Sequence, residues 1–268
     1  MVRSFQVRGL LVYLYVYEAL GGACCCIEYL RFRTFFRKKL QTIEKDKNYI
    51  ANTYGRFQLE IVGGKGEIVK DQSGKEYIDM GSGIAVNTFG MADDLWVEAV
   101  TNQLKAFQHT SNLYYTEPCA LLAKALCEKT GMKKVFFSNS GAEANECAIK
   151  VARKYAAENK GAEYYNIITL ENSFHGRTLT TLAATGQDHY HELFTPLTGG
   201  FIHTPANDID VLKKIVSENN IAAVMIECVQ GEGGVVSLSA DFVKNLEKLC
   251  NDNDILLIVD EVQTGNGR

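Results

Sequence analysis

The sequence predicts an α/β protein whose mostly parallel sheet is covered by helices on both faces. Short apolar runs alternate with amphipathic stretches of helical length along much of its 268 residues, which is the pattern of such a sheet. Polar or glycine-rich segments directly follow several of the apolar runs. Because open α/β sheets bind ligands at the carboxyl ends of their strands, those segments are the candidate functional ones.

The predicted elements follow that rhythm. A hairpin with a polar, glycine-containing turn is predicted from residues 67–70 and 76–80. Apolar residues at helical spacing predict helices at residues 94–107, 118–129, 142–158, 207–219 and 239–252. Short apolar runs predict strands at residues 135–137, 166–170, 222–226 and 255–259. The stripe predicted to be buried in the helix at 142–158 consists of Ala144, Cys147, Ala148, Val151 and Tyr155.

Composition favours an ordinary globular enzyme, with 46% hydrophobic and 22% charged residues. The net charge is −4 and there is no long basic block, so nothing supports nucleic-acid binding. None of the eight cysteines shows zinc-ligand spacing, and we predict no metal site. We expect buried, reduced thiols in a cytoplasmic protein rather than a disulfide framework.

Residues 1–42 form an atypical N-terminal extension that we expect to lie outside the fold. Residues 9–30 are mostly apolar and a basic cluster follows them, so a membrane anchor or a secretory signal stays an alternative. Glu18 and Glu28 interrupt the apolar run, and nothing after residue 43 requires a membrane. We favour a segment that is not native structure, read from an upstream or wrongly assigned start.

The first candidate motif is residues 138–145, between a predicted strand and a helix N-terminus. Its small residues would let main-chain N–H groups converge on an anion, which the helix dipole also favours. The alternative is a plain helix cap, in which Ser140 and Glu143 form a capping box.

The second motif places Phe174, His175 and Arg177 directly after a strand. Phe174 could stack on a flat ring, and Arg177 could bind a carboxylate through two hydrogen bonds. The alternative is a loop whose phenylalanine packs in the core while its arginine is solvated.

The third motif begins at Glu227 and continues through Gly231, Gly233 and Gly234. Its glycine spacing does not match that of a dinucleotide-binding loop, which argues against NAD. The glycines instead favour a close turn of the main chain around a site, and Glu227 could pair with an arginine.

The fourth motif is Asp260 with Gln263, after the last predicted strand. An ATPase is an alternative for a strand that ends in Asp-Glu, but the phosphate-binding loop with its lysine is absent from the sequence. An aspartate here could instead hold a proton on a pyridine nitrogen, which makes the ring an electron sink.

Taken in order, these motifs resemble the class III aminotransferases of the ornithine and acetylornithine type, which use pyridoxal 5'-phosphate. The resemblance runs from about residue 43 to the end. It is carried by residues 74–79, 83–87, 109–115, 139–146, 174–178, 230–234 and 260–265. It implies a fold type I transferase, with residues 43–95 in the N-terminal segment of the small domain and residues 96–268 in an incomplete large cofactor-binding domain.

The resemblance also implies roles for the site residues. Ser140, Gly141 and Ala142 would bind the cofactor phosphate, and Phe174 would stack on its ring. Asp260 would pair with the ring nitrogen. The other implied cofactor and substrate contacts are Gln263 near the phenolic oxygen, Glu261 and Val262 beside it, Arg177 on the substrate α-carboxylate, and Glu227 near the substrate arm as the partner of an arginine.

The implied activity is transfer of the amino group of N2-acetyl-L-ornithine to 2-oxoglutarate in a cytoplasmic homodimer. Ile84 stands where ornithine-specific relatives carry a tyrosine, and an apolar residue suits an acylated amine better. Succinylornithine stays an alternative, as do ornithine and 4-aminobutyrate less strongly.

The sequence departs from the family pattern in three places, and these departures affect the expected activity. Residues 90–94 lack the usual histidines, and Cys228 replaces a proline. No lysine follows Asp260, whereas the family's Schiff-base lysine does. We therefore expect the chain alone to be inactive and truncated before the C-terminal small domain. A fragment that only associates with a partner is the remaining alternative.

Overall fold

The structure, a computed structural model, describes residues 3–7, 10–14 and 42–265. The chain divides into two compact units, Met1–Asp79 and Met80–Arg268. Most of the expected extension lies outside the described residues, and so does most of the apolar run at residues 9–30 on which the anchor and signal alternatives depend. None of the helices in the described ranges has both the length and the hydropathy that crossing a membrane requires.

The described residues of the first unit form two small antiparallel sheets and one helix. Strands β1 (Arg3–Val7) and β2 (Leu10–Leu14) pair with each other. Helix α1 (Thr42–Tyr49) precedes a sheet of three strands in sequential order, β3 (Ile61–Lys65), β4 (Ile68–Asp71) and β5 (Glu76–Ile78). The pairing of β4 with β5 confirms the predicted hairpin.

Asp71 explains why this hairpin turns where it does. Its Oδ1 accepts hydrogen bonds from the N–H of Ser73 at 2.8 Å and of Lys75 at 3.1 Å, while its Oδ2 accepts one from the Tyr77 hydroxyl at 2.9 Å. These hydrogen bonds, of which the one from the Ser73 hydroxyl has the largest effect, lower the pKa of Asp71 to about 2. An ionised aspartate therefore closes the turn.

The second unit alternates helices with strands. Residues Ser82–Ala85 form a helical turn with left-handed residues. The elements after it are α2 (Asp94–Ala106), α3 (Glu117–Thr130), α4 (Gly141–Asn159), β6 (Asn166–Leu170), α5 (Leu179–Ala184), a 3-10 turn (Asp188–Tyr190), β7 (Phe201–Thr204), α6 (Ile209–Glu218), β8 (Ile221–Ile226), β9 (Val229–Gln230), β10 (Val236–Ser237), α7 (Ala240–Asp252) and β11 (Leu256–Val259).

The central sheet is parallel and has the order β11-β8-β6-β7. One face packs on α6 and α7 through a cluster that includes Leu212, Phe242 and Leu246. The other face packs on α4 and α5 through a cluster that includes Ile149 and Ala184. The sheet is thus covered on both sides, which confirms the predicted fold class.

Serine and aspartate caps set where the sheet-packing helices begin. The side chains of Ser140, Asp208 and Ser239 each accept a hydrogen bond from the main-chain N–H three residues later. Each bond satisfies one of the donors that a helix N-terminus leaves unpaired, typically worth about 1 kcal/mol.

The structure corrects two predicted elements. Residues 135–137 are not a strand, because in the described part of the chain no neighbouring strand pairs with them. Phe136 is 67% exposed. In α4 the buried stripe is Asn145, Ile149, Ala152 and Ala156, each one residue after a predicted position. That shift rotates the buried face by about 100°.

The described cysteines are free, but only Cys250 is buried. Cys119 is exposed and the other three are half-buried, so the expectation of buried thiols was wrong for most of them. The triplet at residues 24–26 lies outside the described residues. Burial raises the pKa of the Cys250 thiol to about 11, which keeps it protonated.

Candidate active site

Polar residues directly follow three neighbouring parallel strands, at one edge of the sheet. Asp260 follows β11, Glu227 follows β8, and residues 171–177 follow β6. The three strands are adjacent in the order β11-β8-β6, so these segments converge. They lie at the carboxyl end of the sheet, where ligands bind in open α/β folds.

Asp260 is the centre of a buried hydrogen-bond network. Its Oδ2 accepts hydrogen bonds from Asn145 Nδ2 at 2.8 Å and from His175 Nδ1 at 2.9 Å. Its Oδ1 accepts the main-chain N–H of Val262 at 3.0 Å. Asn145 also donates to the carbonyl oxygen of His175 at 2.8 Å, so one amide ties α4 to two different strand ends.

The pKa values of the two buried carboxyl groups shift in opposite directions. Burial by itself would raise the pKa of Asp260, but the hydrogen bond and charge of His175, with the donors of Val262 and Asn145, outweigh burial and lower it. Burial raises the pKa of Glu227, and the N–H of Phe174 only partly offsets this. Asp260 is therefore the stably ionised carboxylate at this edge.

His175 is wholly buried and uses only one side of its ring. Its Nδ1 lies 2.9 Å from Oδ2 of Asp260, and its Nε2 has no hydrogen-bond partner among the described residues. The main-chain N–H of His175 donates to Thr185 Oγ1 at 2.9 Å, which fixes the loop at the end of β6.

The N-terminus of α4 lies against the segment after β11. A Cβ on Gly141 would come within 2.7 Å of a methyl group of Val262, so only glycine allows this approach. Ser140 caps the helix, but Glu143 reaches back to the N–H of Asn139 at 2.7 Å. The expected capping box is therefore displaced by one residue.

The start of α4 also has main-chain donors that could bind an anion, as the sequence predicts. The first main-chain N–H groups of a helix lack intrahelical acceptors, and Ser140 Oγ takes only that of Glu143. Among the described residues, the N–H groups of Gly141 and Ala142 have no acceptor, so they could donate to a bound anion. Gly176, with a φ of +134°, passes so close that a Cβ there would lie 2.8 Å from Cβ of Ala142.

Aromatic rings and a guanidinium line the outer part of the site. The rings of Phe174 and Tyr190 meet edge to face, with centroids 5.8 Å apart. Arg177 Cζ lies 4.7 Å from the Tyr190 centroid and 5.8 Å from that of Phe174. The Tyr190 hydroxyl donates to Glu232 Oε1 at 2.9 Å.

The glycine turn after β8 approaches both neighbouring segments. A Cβ on Gly231 would lie 3.0 Å from Gln263 Oε1, and one on Gly233 would clash with the carbonyl oxygen of Asn172. Buried Gln230 donates its Nε2 to the carbonyl oxygen of Glu171 at 2.8 Å. The turn is held against both the β6 and β11 loops.

The sequence-predicted residues gather at this edge, but not all of them face it. Ser140, Gly141 and Ala142 stand at the start of α4, Phe174 and Arg177 follow β6, and Asp260, Val262 and Gln263 follow β11. Glu227 lies behind Phe174 and accepts its N–H at 3.0 Å, with no arginine beside its carboxylate among the described residues. Glu261 is exposed and accepts the Thr264 hydroxyl at 3.0 Å.

Four residues of the site have no role that the sequence predicts, namely Asn145, His175, Tyr190 and Glu232. Asn145 and His175 are polar residues that hydropathy places at the surface, and their long-range partners explain their burial. The aromatic-histidine-arginine loop was itself a signal for His175. Tyr190 and Glu232 stand in loops whose contact no local pattern predicts.

The sequence matches the family model "Aminotransferase class-III" over residues 49–268. It is 54% identical over 228 residues to acetylornithine aminotransferase of Haemophilus ducreyi, covering 85% of this chain and 58% of that protein. For the enzyme of the same name from Methanocaldococcus jannaschii, the identity is 49% over 226 residues, covering 84% and 56%. The chain thus spans little more than half the length of these relatives.

Solved structures of the same kind share the fold. The ornithine aminotransferase of Toxoplasma gondii matches with a TM-score of 0.80 and 30% identity, covering 88% of this chain and 57% of that one. The N-acetylornithine aminotransferase of Stenotrophomonas maltophilia matches with a TM-score of 0.70 and 36% identity, covering 84% and 55%.

Proposed function

The chain belongs to the class-III aminotransferase family, and on that premise we propose that the whole protein transfers the terminal amino group of N2-acetyl-L-ornithine to 2-oxoglutarate. The names of related proteins support acetylornithine as the amino donor, since several are acetylornithine aminotransferases. The choice of 2-oxoglutarate as the acceptor follows from the family resemblance. The cofactor of the proposal is pyridoxal 5'-phosphate. When bound, it supplies a pyridine ring that stores the electron pair released from the substrate carbon.

The residues present fit that group. Its phosphate would accept the main-chain N–H groups of Gly141 and Ala142 beside Ser140, at the N-terminus of α4. Its ring would stack on the half-buried ring of Phe174, and its ring nitrogen would pair with Asp260. Gln263, Val262 and Glu261 complete the proposed cofactor contacts.

The observation that carries the proposal is the buried carboxylate of Asp260, which accepts hydrogen bonds from His175, Asn145 and the N–H of Val262. A carboxylate that keeps its charge in a buried place can hold a proton on a pyridine nitrogen, and that protonation makes the ring an effective electron sink. His175 and Asn145 hold this carboxylate in orientation through hydrogen bonds of 2.9 and 2.8 Å. Arg177 would bind the substrate α-carboxylate, since its guanidinium is exposed beside Phe174.

The test is a comparison of Asp260→Asn with Asp254→Asn in the whole protein. Asp254 stands at the amino end of the strand that Asp260 follows, so it is a matched carboxylate outside the site. We expect Asp260→Asn to lower kcat at least ~100-fold, which corresponds to about 2.7 kcal/mol, and Asp254→Asn to leave it nearly unchanged. Equal kcat values for the two variants would contradict the role of Asp260.

Substrate choice is a separate part of the proposal. Ile84 is 82% exposed, and it offers no partner for an ammonium group. We expect kcat/KM to be highest for acetylornithine, with succinylornithine as the closest rival and ornithine or 4-aminobutyrate far lower. Ile84→Tyr should raise the relative rate on ornithine. A wild-type preference for ornithine would refute this assignment while leaving aminotransferase chemistry intact.

The role of Glu227 stays a proposal as well. The family resemblance suggests that it pairs with an arginine near the substrate arm, whereas its described contact is the N–H of Phe174. Glu227→Gln keeps an acceptor for that N–H. A change confined to substrate KM would support the first role, and a loss of thermal stability alone would support the second.

We also propose that the 268 residues alone do not transaminate and that the whole protein works as a cytoplasmic homodimer. No lysine follows Asp260 in the sequence, and the free thiols suit a reducing compartment. The purified chain is mixed with pyridoxal 5'-phosphate, its transamination rate is measured, and any lysine adduct is fixed with borohydride and located by peptide mapping. We expect no transamination. A lysine adduct together with transamination would contradict the proposal. Analytical ultracentrifugation of the whole protein tests the dimer.

A further inference from the structure

Tyr190 connects three loops at the outer part of the site. It ends the 3-10 turn Asp188–Tyr190, and its ring carries Arg177 on one side, with Cζ 4.7 Å from the centroid. Its edge-to-face contact with Phe174 has an interplanar angle of 67°. Its hydroxyl donates to Glu232 Oε1 across 42 residues of sequence.

Arg177 is positioned by these rings without being neutralised. Among the described residues, no carboxylate forms an ion pair with its guanidinium. A guanidinium within about 6 Å of an aromatic centroid is attracted by the ring face. The Arg177 side chain is exposed, and a guanidinium is a planar fork of N–H groups that can bind a carboxylate through two hydrogen bonds.

Glu232 fixes the ring on which the guanidinium lies. The hydrogen bond to Glu232, with burial and the charge of that carboxylate, raises the pKa of the Tyr190 hydroxyl above its ordinary value of 10.0, although Arg177 opposes the shift. The phenol therefore stays protonated and bonded at neutral pH. A phenol that donates to a carboxylate also carries more electron density on its ring, which strengthens the attraction for a cation.

We propose that Tyr190 is a positioning residue for substrate carboxylate recognition, which holds the Arg177 guanidinium in orientation while Glu232 anchors the tyrosine. This inference rests on the proposed function, since it takes Arg177 as the group that receives the α-carboxylate. The new element is Tyr190, which lies in a different loop from Arg177. We expect Tyr190 to affect how strongly the protein prefers substrates that carry the α-carboxylate over substrates that lack it.

The test compares two amines that differ only in the carboxylate, N2-acetylornithine and N-acetyl-1,4-diaminobutane. The measured quantity is the ratio of their kcat/KM values in the whole protein. Tyr190→Leu should lower this ratio about 3- to 20-fold through a higher KM for acetylornithine, since the ring platform is lost. Tyr190→Phe keeps the platform and loses the anchor, so the ratio should fall only about 2-fold.

Tyr155→Phe is the matched control. Tyr155 also donates its hydroxyl to a carboxylate, that of Asp254 at 2.9 Å, and its pKa is also raised, mainly by that bond. It lies away from the candidate site and should leave the ratio unchanged. A Tyr190→Leu protein with the wild-type ratio, or one that loses both activities equally, would overturn the proposal.

A second measurement needs no turnover. Calorimetric titration with glutarate, a dicarboxylate, reports carboxylate binding, and the side-chain NMR signal of Arg177 reports its orientation. Tyr190→Leu should raise the Kd for glutarate several-fold and change the chemical shift of the Arg177 signal, whereas Tyr155→Phe should do neither.

If the wild-type protein uses neither amine as a substrate, the proposed function fails, and the glutarate result still decides the role of Tyr190. An unchanged Kd in Tyr190→Leu, or no glutarate binding by the wild type, would refute it.

Discussion

Replacement of His175 by alanine tests the buried network most directly. The variant removes the Nδ1 donor 2.9 Å from Asp260 Oδ2 but leaves the carboxylate buried, with the side chain of Asp260 only 5% exposed. Breaking a buried charged pair by deleting one partner costs about 3–5 kcal/mol. For a protein of this size, that corresponds to a fall in Tm of roughly 6–20 °C.

The pH dependence has a definite sign. In the wild type the pKa of Asp260 is lowered, so its contribution to stability is present above the unfolded value of about 3.9 and is lost as the pH falls through the folded value. Without His175, the opposing effect of burial is less well offset and the pKa of Asp260 rises. The stability that the wild type gains with rising pH should therefore shrink in the variant.

His175→Asn provides the control for packing. Its side-chain amide stands near the position of Nδ1 and can still donate to Asp260, while the unpartnered Nε2 is removed. We expect it to lose only about 1–2 kcal/mol, from the missing ring atoms. Urea unfolding followed by circular dichroism gives the free energies, and the 13C signal of the Asp260 carboxyl gives its pKa. Equal stabilities for His175→Ala and His175→Asn, with unchanged carboxyl titration, would refute the reasoning.

Three further predictions use other parts of the structure. Gly176→Ala should lose about 2–4 kcal/mol in thermal unfolding, because its φ is +134° and a Cβ would lie 2.6 Å from a threonine hydroxyl oxygen. Gly199→Ala, where no atom lies within 4 Å, should lose little. Asp71 has its pKa lowered from 3.8 to about 2, so its hairpin should loosen as the pH falls through that interval, seen in amide NMR shifts of the turn. Cys119 should react with iodoacetamide at pH 8 well before Cys250, as mass spectrometry of timed digests can show.

Local sequence was sufficient for most of the fold. Strands such as β8 and β11 are short apolar runs, and helices such as α6 and α7 carry apolar residues at helical spacing, so both types follow from neighbours along the chain. Strand β7 was not predicted, because Phe201–Thr204 is too short and too polar to stand out. Residues 135–137 have a strand-like sequence but no partner strand in the described structure.

The buried face of α4 shows where local reasoning fails. Hydropathy selects the stripe through Val151, which is 57% exposed, over the stripe through Asn145, which is 5% exposed. The polar Asn145 is buried at low cost because Asp260 and the His175 carbonyl satisfy both of its donors. Ala152 on the same stripe packs in the cluster against the sheet, where its small side chain allows a close approach of the helix.

The sequence by itself determined which segments lie at the carboxyl edge of the sheet or at the start of α4, because each follows a strand or begins a helix, and those positions are set by local patterns. It did not determine which residues support them. Asn145 and Asp260 are separated by 115 positions, and His175 and Asp260 by 85. Only strand order and helix packing bring such residues within about 3 Å, and only that contact makes the burial of a charge or an amide favourable. The tertiary structure therefore decided that Asp260 stays ionised and that Tyr190 lies against Arg177.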